Sequence, residues 1–257
     1  MTSRIRLITF DAYNTVFKPR GGISAQYEME ARKFGINVSK EAINKSFRPA
    51  LKAQVSKYPL YGLSQGLNPK IWWQDVVRST FIGAGASEKD LDEKFLALYE
   101  TIWTRFTCAD GYEVFSDVFD TLKELKSRKI TLGVISNSDE RVAQVLESLK
   151  LDSYFDFVLT SSMARCEKPA RQIFDQALRL GSKSSSPIQA SQALHIGDDL
   201  KSDYFGARDA GWHSLLLRRD KLSYEEPLTN LPSDSENLPV EITYMKELLG
   251  YIKPPNV

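Results

Sequence analysis

The chain has 257 residues, 34 Lys and Arg against 33 Asp and Glu, and a formal charge of +1; near neutrality argues against a protein whose main work is gripping a phosphate backbone. Hydrophobic residues make up 42% and charged residues 26%, close to globular averages, which excludes fibrous and extensively disordered classes. At a typical domain size of roughly 150 residues, the length predicts one large domain or two modest ones.

No apolar run approaches the roughly 20 residues of a membrane-spanning helix. The opening stretch, Met1 to Phe10, has no small-residue cleavage site, so no secretory signal is expected. Two cysteines, Cys108 and Cys166, are too few for a disulfide framework or a structural zinc site, which suits a reducing compartment. The expected location is the cytoplasm, with the nucleus as a second.

Ile5 to Phe10 reads as a short buried strand ending at Asp11. The next hundred residues look helical: about Ser24 to Phe34, about Ser39 to Tyr58, a helix opened by Asn68-Pro69, and about Glu88 to Phe106. Asn68 offers a capping side chain and Pro69 suits the first helical position. From about Gly111 the chain alternates. A helix near Phe115–Arg128 precedes the strand Ile130–Ile135, and a helix covers about Glu140–Leu149. The strand Phe157–Thr160 is followed by a helix at about Arg171–Leu180. The strand Ala193–Ile196 leads to a helix near Tyr204–Ala210 and the strand His213–Leu217. Ser182 to Pro187 is a polar loop, Arg219 to Pro239 is irregular, and a last helix is expected near Met245–Tyr251. Strands alternating with helices predict a parallel α/β sheet.

In open α/β sheets, ligands collect at the carboxyl ends of the strands. Those ends carry Asp11 to Thr15, then Ser136-Asn137, then Lys168-Pro169, then Gly197-Asp198 through Asp203. Asp11, Asp198 and Asp203 make an all-oxygen set, which suits magnesium better than zinc. Lys168 and the Ser136 hydroxyl could hold the oxygens of a phosphoryl group.

The order DxxxT, SN, KP, GDxxxxD resembles the four motifs of the haloacid-dehalogenase-like (HAD) superfamily, and a helical insert after the first motif resembles its subclass-I cap layout. A closer resemblance to one subgroup rests on Tyr58–Leu67, Trp72–Val77 and Phe155–Ser161. The resemblance implies a Rossmann-like parallel-sheet core, residues 1–17 plus 111–257, with an all-helical cap at residues 18–110. It implies a hydrolase that uses Asp11 as nucleophile through an aspartyl intermediate, with Lys168 and Ser136 as further catalytic groups. Thr15, Ser136, Asn137 and Lys168 would bind substrate, and Asp11, Tyr13, Asp198 and Asp203 would form the magnesium position. The implied partner is a small phosphorylated molecule, with no nucleic acid and no membrane; the oligomeric state is not readable.

Two positions depart from the pattern. The family's phosphatases carry a second Asp two residues after the nucleophile, where this chain has Tyr13. Asp-Ala-Tyr resembles the 2-haloacid dehalogenases, which in turn lack the metal-binding acids kept here at Asp198 and Asp203. Lys168-Pro-Ala-Arg171 replaces the usual Lys-Pro-Asp-Pro. Three readings stay open: a magnesium-dependent phosphohydrolase, a metal-free hydrolase of another bond such as carbon–halogen, and a catalytically feeble ligand or partner binder.

Other residues read more plainly. Asp139 and Asp199 are expected as helix-start caps. Gly62-Leu-Ser-Gln-Gly66 fits the GxSxG pattern, but no strand precedes it, so a loop is expected rather than a nucleophile. His195 and His213 lie in apolar strand patterns and are expected to be buried and structural. Trp72 and Trp73 point to different sides of one helix, one into its core and the other toward the core domain or a partner. Cys166, two residues before Lys168, is expected near the strand ends.

Overall fold

The computed structural model describes residues 4–182, 187–219 and 239–252. In chain order the elements are β1 (Leu7–Phe10), β2 (Phe17–Pro19), α1 (Ile23–Lys33), α2 (Lys40–Lys57), α3 (Pro69–Gly83), α4 (Glu88–Arg105), β3 (Tyr112–Val114) and α5 (Val118–Ser127). Then follow β4 (Thr131–Ser136), α6 (Arg141–Ser148), β5 (Phe157–Thr160), α7 (Ser161–Ala164), α8 (Arg171–Gly181), β6 (Ala193–Gly197), α9 (Gly206–Asp209), β7 (His213–Leu217) and β8 (Glu241–Ile242).

Six strands form one sheet in the order β5-β4-β1-β6-β7-β8, each parallel to its neighbour. This is the α/β, Rossmann-like parallel sheet that the alternating pattern implies. The strands are apolar on both faces because helices cover both. Leu7, Ile8 and Phe10 are fully buried, each contributing about 1.5–3 kcal/mol by leaving water. Beneath the sheet, Leu7, Ile135, Phe174, Ala177 and Trp212 join one apolar cluster. Phe10 pairs in register with Val134 on one side and Ile196 on the other. The segments leaving β1, β4 and β6 therefore emerge at one edge.

The chain groups into two compact units: Met1–Phe17, Val114–Asn137 and Lys150–Val257 form the sheet unit, and Lys18–Glu113 with Ser138–Leu149 form a helical unit. In the helical unit α2 packs on α3, and the Ser46 hydroxyl donates to the Thr80 carbonyl at 2.8 Å. Tyr27 sits among Phe47, Phe81 and Phe106. Ser39, Asn68 and Ser87 cap α2, α3 and α4 with their side chains. Segment Ser138–Leu149, which carries α6, groups with these helices. Arg141 explains the grouping: its guanidinium lies 4.0 Å from the Trp103 ring centre and 5.1 Å from that of Trp73.

Several elements differ from expectation. The helix expected near Tyr204 starts earlier and is wide: the Asp199 carbonyl accepts from both Asp203 and Tyr204 amides, so Leu200–Phe205 winds as a π-type turn into α9. The last helix is a 3₁₀ turn, Met245–Gly250. Helix α5 begins at Val118 rather than near Phe115, whose amide donates to the Val16 carbonyl at 3.3 Å. Strands β2 and β3, which pair with each other, and β8 are too short to show a period. The loop at residues 183–186 and nearly all of the irregular stretch after Arg219 lie outside the described residues.

Candidate active site

At the carboxyl edge of the sheet, Lys168 reaches a buried position between two carboxylates. Its Nζ lies 2.6 Å from Asp11 Oδ1, 2.6 Å from Asp203 Oδ1 and 2.8 Å from the Ile135 carbonyl oxygen. Asn137 fixes the lysine from behind. Its amide donates to the Lys168 carbonyl and accepts from the Lys168 amide, both at 2.8 Å. Ser136 ends β4 and is buried beside this clasp.

Asp203 has both oxygens taken up. Oδ1 accepts from Lys168 and from His195 Nε2 at 3.1 Å, and Oδ2 accepts from the Asp199 amide at 3.0 Å. Because an ionised carboxylate only accepts, these bonds assign the ring proton to Nε2, and His195 Nδ1 accepts from the Thr9 hydroxyl at 2.8 Å. Gly197 lets this happen: a Cβ there would lie 2.1 Å from the Asp203 carboxylate. Asp198 is half-buried beside Asp11, and Asn14 Nδ2 donates to its Oδ2 at 3.3 Å. Asn14 holds the left-handed conformation, φ +57°, which asparagine tolerates better than most residues.

Charge crowding governs these groups. Burial raises Asp11 to about 7; the Lys168 ammonium opposes the shift, while Asp203 and Asp198 add to it. Burial and the Asp203 charge raise Asp198 to about 6. Burial alone would raise Asp203 too, but Lys168 and His195 hold it well below the usual carboxylate range. Lys168, which burial alone would discharge, is kept charged by Asp11 and Asp203. Burial lowers His195 and keeps the ring neutral.

Carboxylate oxygens of Asp11, Asp198 and Asp203 all lie within 4.8 Å of one another. Three carboxylates against one ammonium leave the cluster two charges negative when all are ionised, the complement of a divalent cation. The donors are all hard oxygens, which fit magnesium or calcium. Asp11 and Asp198 keep donor capacity for such an ion, whereas Asp203 is engaged by Lys168, His195 and the Asp199 amide.

The remaining expected residues are placed as follows. Tyr13 is half-buried, its ring edge-on to Phe17 at 5.1 Å. Thr15 is fully buried, and its hydroxyl has no partner among the described residues. Asp199 caps the following turn, accepting from the Ser202 amide at 2.6 Å. Asp139 does more than cap. In the helical unit it takes the Arg141 guanidinium through both oxygens, at 2.8 and 2.7 Å, and accepts from Trp73 Nε1 at 2.7 Å. Trp72 is buried and donates to the Tyr58 carbonyl. Ser64 is exposed on a turn where Leu60, Tyr61 and Gly62 are left-handed, far from the strand-to-helix elbow that its motif would need. His213 is half-buried, its Nε2 3.1 Å from the Ser191 carbonyl oxygen. Cys166 is half-buried, and burial pushes its thiol up, so it is a poor nucleophile.

Thr9, Asn14 and His195 belong to this arrangement without having been singled out for it by the sequence. Only His195 left a signal, an ionisable ring inside the apolar run Ala193–Ile196.

Comparison with known proteins speaks to family and fold. A family model described as haloacid dehalogenase-like hydrolase matches residues 5–211. The chain is 38% identical over 214 residues to haloacid dehalogenase-like hydrolase domain-containing protein 3 of Homo sapiens, covering 83% of this chain and 82% of that one. Among solved structures, YfnB from Bacillus subtilis, a HAD-hydrolase solved bound to magnesium, superposes with a TM-score of 0.71 at 15% identity, covering 97% of this chain and 99% of that one. A 2-haloacid dehalogenase from Pseudomonas syringae gives a TM-score of 0.61 at 21% identity, covering 96% and 97%. At those identities the two structures speak for the fold alone.

Proposed function

The chain belongs to the haloacid dehalogenase-like hydrolase family, and from that premise we propose that it hydrolyses a small phosphorylated metabolite through an aspartyl intermediate at Asp11, with magnesium as cofactor. The observation that carries the reading is the Lys168 ammonium held between Asp11 and Asp203, with Asp198 alongside. A dehalogenase working without a metal has no need of two further acids in this place.

Lys168 binds one oxygen of Asp11 and leaves the other without a hydrogen bond among the described residues. That oxygen is the nucleophile: it bonds to phosphorus as the bond to the leaving oxygen breaks, and the leaving group departs with the electron pair. Water then attacks the aspartyl phosphate and restores the carboxylate. Ser136 and Thr15 hydroxyls, with the Asn137 amide ordering its loop, orient the phosphoryl oxygens, and Lys168 offsets their charge. Asp11 and Asp198 would hold magnesium, with Tyr13 next to them in the expected set and Asp203 supporting through Lys168. When bound, the ion supplies positive charge between the nucleophile and the phosphoryl oxygens.

The direct test is a screen of phosphorylated metabolites with and without magnesium, with Asp11→Asn as the blank. Turnover that needs both the metal and Asp11 supports the reading; turnover unchanged in Asp11→Asn overturns it. Tyr13 favours a second reading, a hydrolase of a non-phosphate bond or a weakly active binder. Release of halide from 2-haloacids in the presence of a chelator would establish that alternative.

A further inference from the structure

We propose that Arg219 is a positioning residue: it clamps the main chain at Thr15 from outside the nucleophile loop and so fixes the geometry of residues 11–17. The inference rests on the roles proposed above for Asp11 and Thr15.

Arg219 follows β7 and lies 204 residues from its target. Its Nη2 donates to the Thr15 carbonyl at 2.7 Å and its Nε to the same oxygen at 3.1 Å. Nη1 donates to Asp117 Oδ1 at 2.9 Å, and the guanidinium lies 3.9 Å from the Phe115 ring centre. The second Asp117 oxygen accepts from the Met245 amide at 2.6 Å. Both charged side chains are nearly buried, 11% and 9% exposed.

The loop's shape comes from local bonds: the Val16 and Phe17 amides donate to the Ala12 carbonyl, and the Asn14 amide donates to the Phe17 carbonyl. These bonds set the turn without tying it to the sheet unit. Outside ties reach the loop along its length: the Asp11 amide on Ile196 and Lys168 on Asp11 at its start, Asn14 on Asp198 within it, and near its end the Phe115 amide on Val16, at 3.3 Å, and the shorter Arg219 bonds on Thr15. No other donor reaches the Thr15 carbonyl among the described residues. The same residue carries a fully buried hydroxyl with no partner. A clamp on the carbonyl holds that hydroxyl ready for an oxygen that arrives from elsewhere.

The chemistry requires arginine. Its planar fork can put two N–H groups on one carbonyl and a third on a carboxylate, whereas a lysine ammonium is a point donor on a flexible stem. A buried ion pair is weak evidence for stability, since apolar replacements often serve as well. Its geometry toward Thr15 is then the reason to place one here.

The test uses the full chain with two variants: Arg219→Lys, which keeps the charge beside Asp117, and Arg219→Met with Asp117→Asn, which removes the pair together and leaves no orphaned charge. Hydrogen exchange of the Asn14, Val16 and Phe17 amides, read in magnesium-free protein, needs no turnover. Both variants should exchange faster there while the β1 amides hold their protection. With magnesium and para-nitrophenyl phosphate, kcat should fall about 10²-fold for a loop displaced by roughly 1 Å, with KM little changed. Unchanged loop exchange overturns the clamp. Faster exchange spread evenly over all strands, or a loosened loop with unchanged kcat, reduces Arg219 to a structural residue and overturns it too. If the wild type turns over no phosphate ester at all, exchange alone decides: a locally loosened loop upholds the clamp and places the fault in the proposed reaction.

Discussion

Asp203 occupies the space that any side chain at position 197 would need: a Cβ on Gly197 would lie 2.1 Å from the Asp203 carboxylate. That carboxylate holds Lys168 and His195, so it has no room to retreat. Gly197→Ala should therefore cost about 1–3 kcal/mol by overpacking. It should also blunt the stabilisation expected of the wild type in magnesium, because Lys168 and Asp11 shift with Asp203. Urea unfolding with and without the metal measures both effects. A variant as stable as wild type, with the same magnesium shift, would show that the site yields more easily than this packing implies.

Asp198 sets a pH dependence. Its folded value, about 6, lies above the ordinary aspartate value of 3.8, so the folded protein keeps a proton that the unfolded chain gives up. Stability contributed by this group therefore falls as pH rises from about 4 to about 6 and is level beyond. Asp198→Asn should stabilise the metal-free protein at pH 8 by about 1–2 kcal/mol, after discounting for the half-exposed position, and by nothing below pH 4. Magnesium should stabilise the wild type and scarcely affect the variant. Melting curves across pH in chelator and in magnesium read the two predictions separately, and an equal magnesium shift in both proteins would sink the metal site.

His195 should stay neutral, with its proton on Nε2, below the pH at which a free imidazole titrates. Its folded value is lowered by burial, so the stability it contributes is complete above the unfolded value of about 6.5 and declines as pH falls below it. Nitrogen-resolved NMR of the ring would show the tautomer directly. Replacing it, His195→Ala, leaves the Thr9 hydroxyl and one Asp203 contact without a partner in a fully buried place. The cost should be about 3 kcal/mol or more from the cavity and the orphaned groups together.

On the proposed reaction, Tyr13 limits the leaving groups the site can handle. A phenol is a poor base at neutral pH and a weak acid toward an alkoxide. General acid–base help is worth about 10²–10⁴ in rate. On the proposed reaction, the wild type should cleave acyl and nitrophenyl phosphates and scarcely touch alkyl phosphates. Tyr13→Asp should speed the alkyl esters most, and Tyr13→Phe should change little. Alkyl and aryl esters cleaved at equal rates by the wild type, with Tyr13→Phe inactive, would make the phenol the working acid and base.

Residues named from the strand ends were legible because a parallel sheet brings its carboxyl ends to one edge whatever the loops do. Asp11, Ser136 and Asp198 needed only the positions of β1, β4 and β6. Lys168 needed the motif, since it lies several residues beyond β5. Asn14 and Arg219 were not legible, and His195 was legible only as a buried ring, without its partners. Their meaning lies in approaches across 184, 186 and 204 residues of sequence, and nothing in a local pattern encodes such an approach. The wide turn after Asp199 was missed for a related reason: apolar spacing suits an ordinary helix, and one carbonyl accepting two successive amides decides otherwise. Asp139 reads as a cap in sequence, because only the folded helical unit brings Trp73 to its second oxygen.

The wide separation of these partners bears on when the site comes into being. Lys168 meets Asp11 across 157 residues, and Arg219 meets Thr15 across 204. Contacts this non-local form slowly, since the loops they close must be ordered first. On the ribosome, no truncated nascent chain ending before Asp203 can hold Lys168 from both sides, and none ending before Arg219 can fasten the loop around Thr15. On the proposed reaction, a growing chain thus carries Asp11 long before the full set of groups that would arm it has been made. The proposed reactivity would then be deferred until nearly the whole sheet unit has been made.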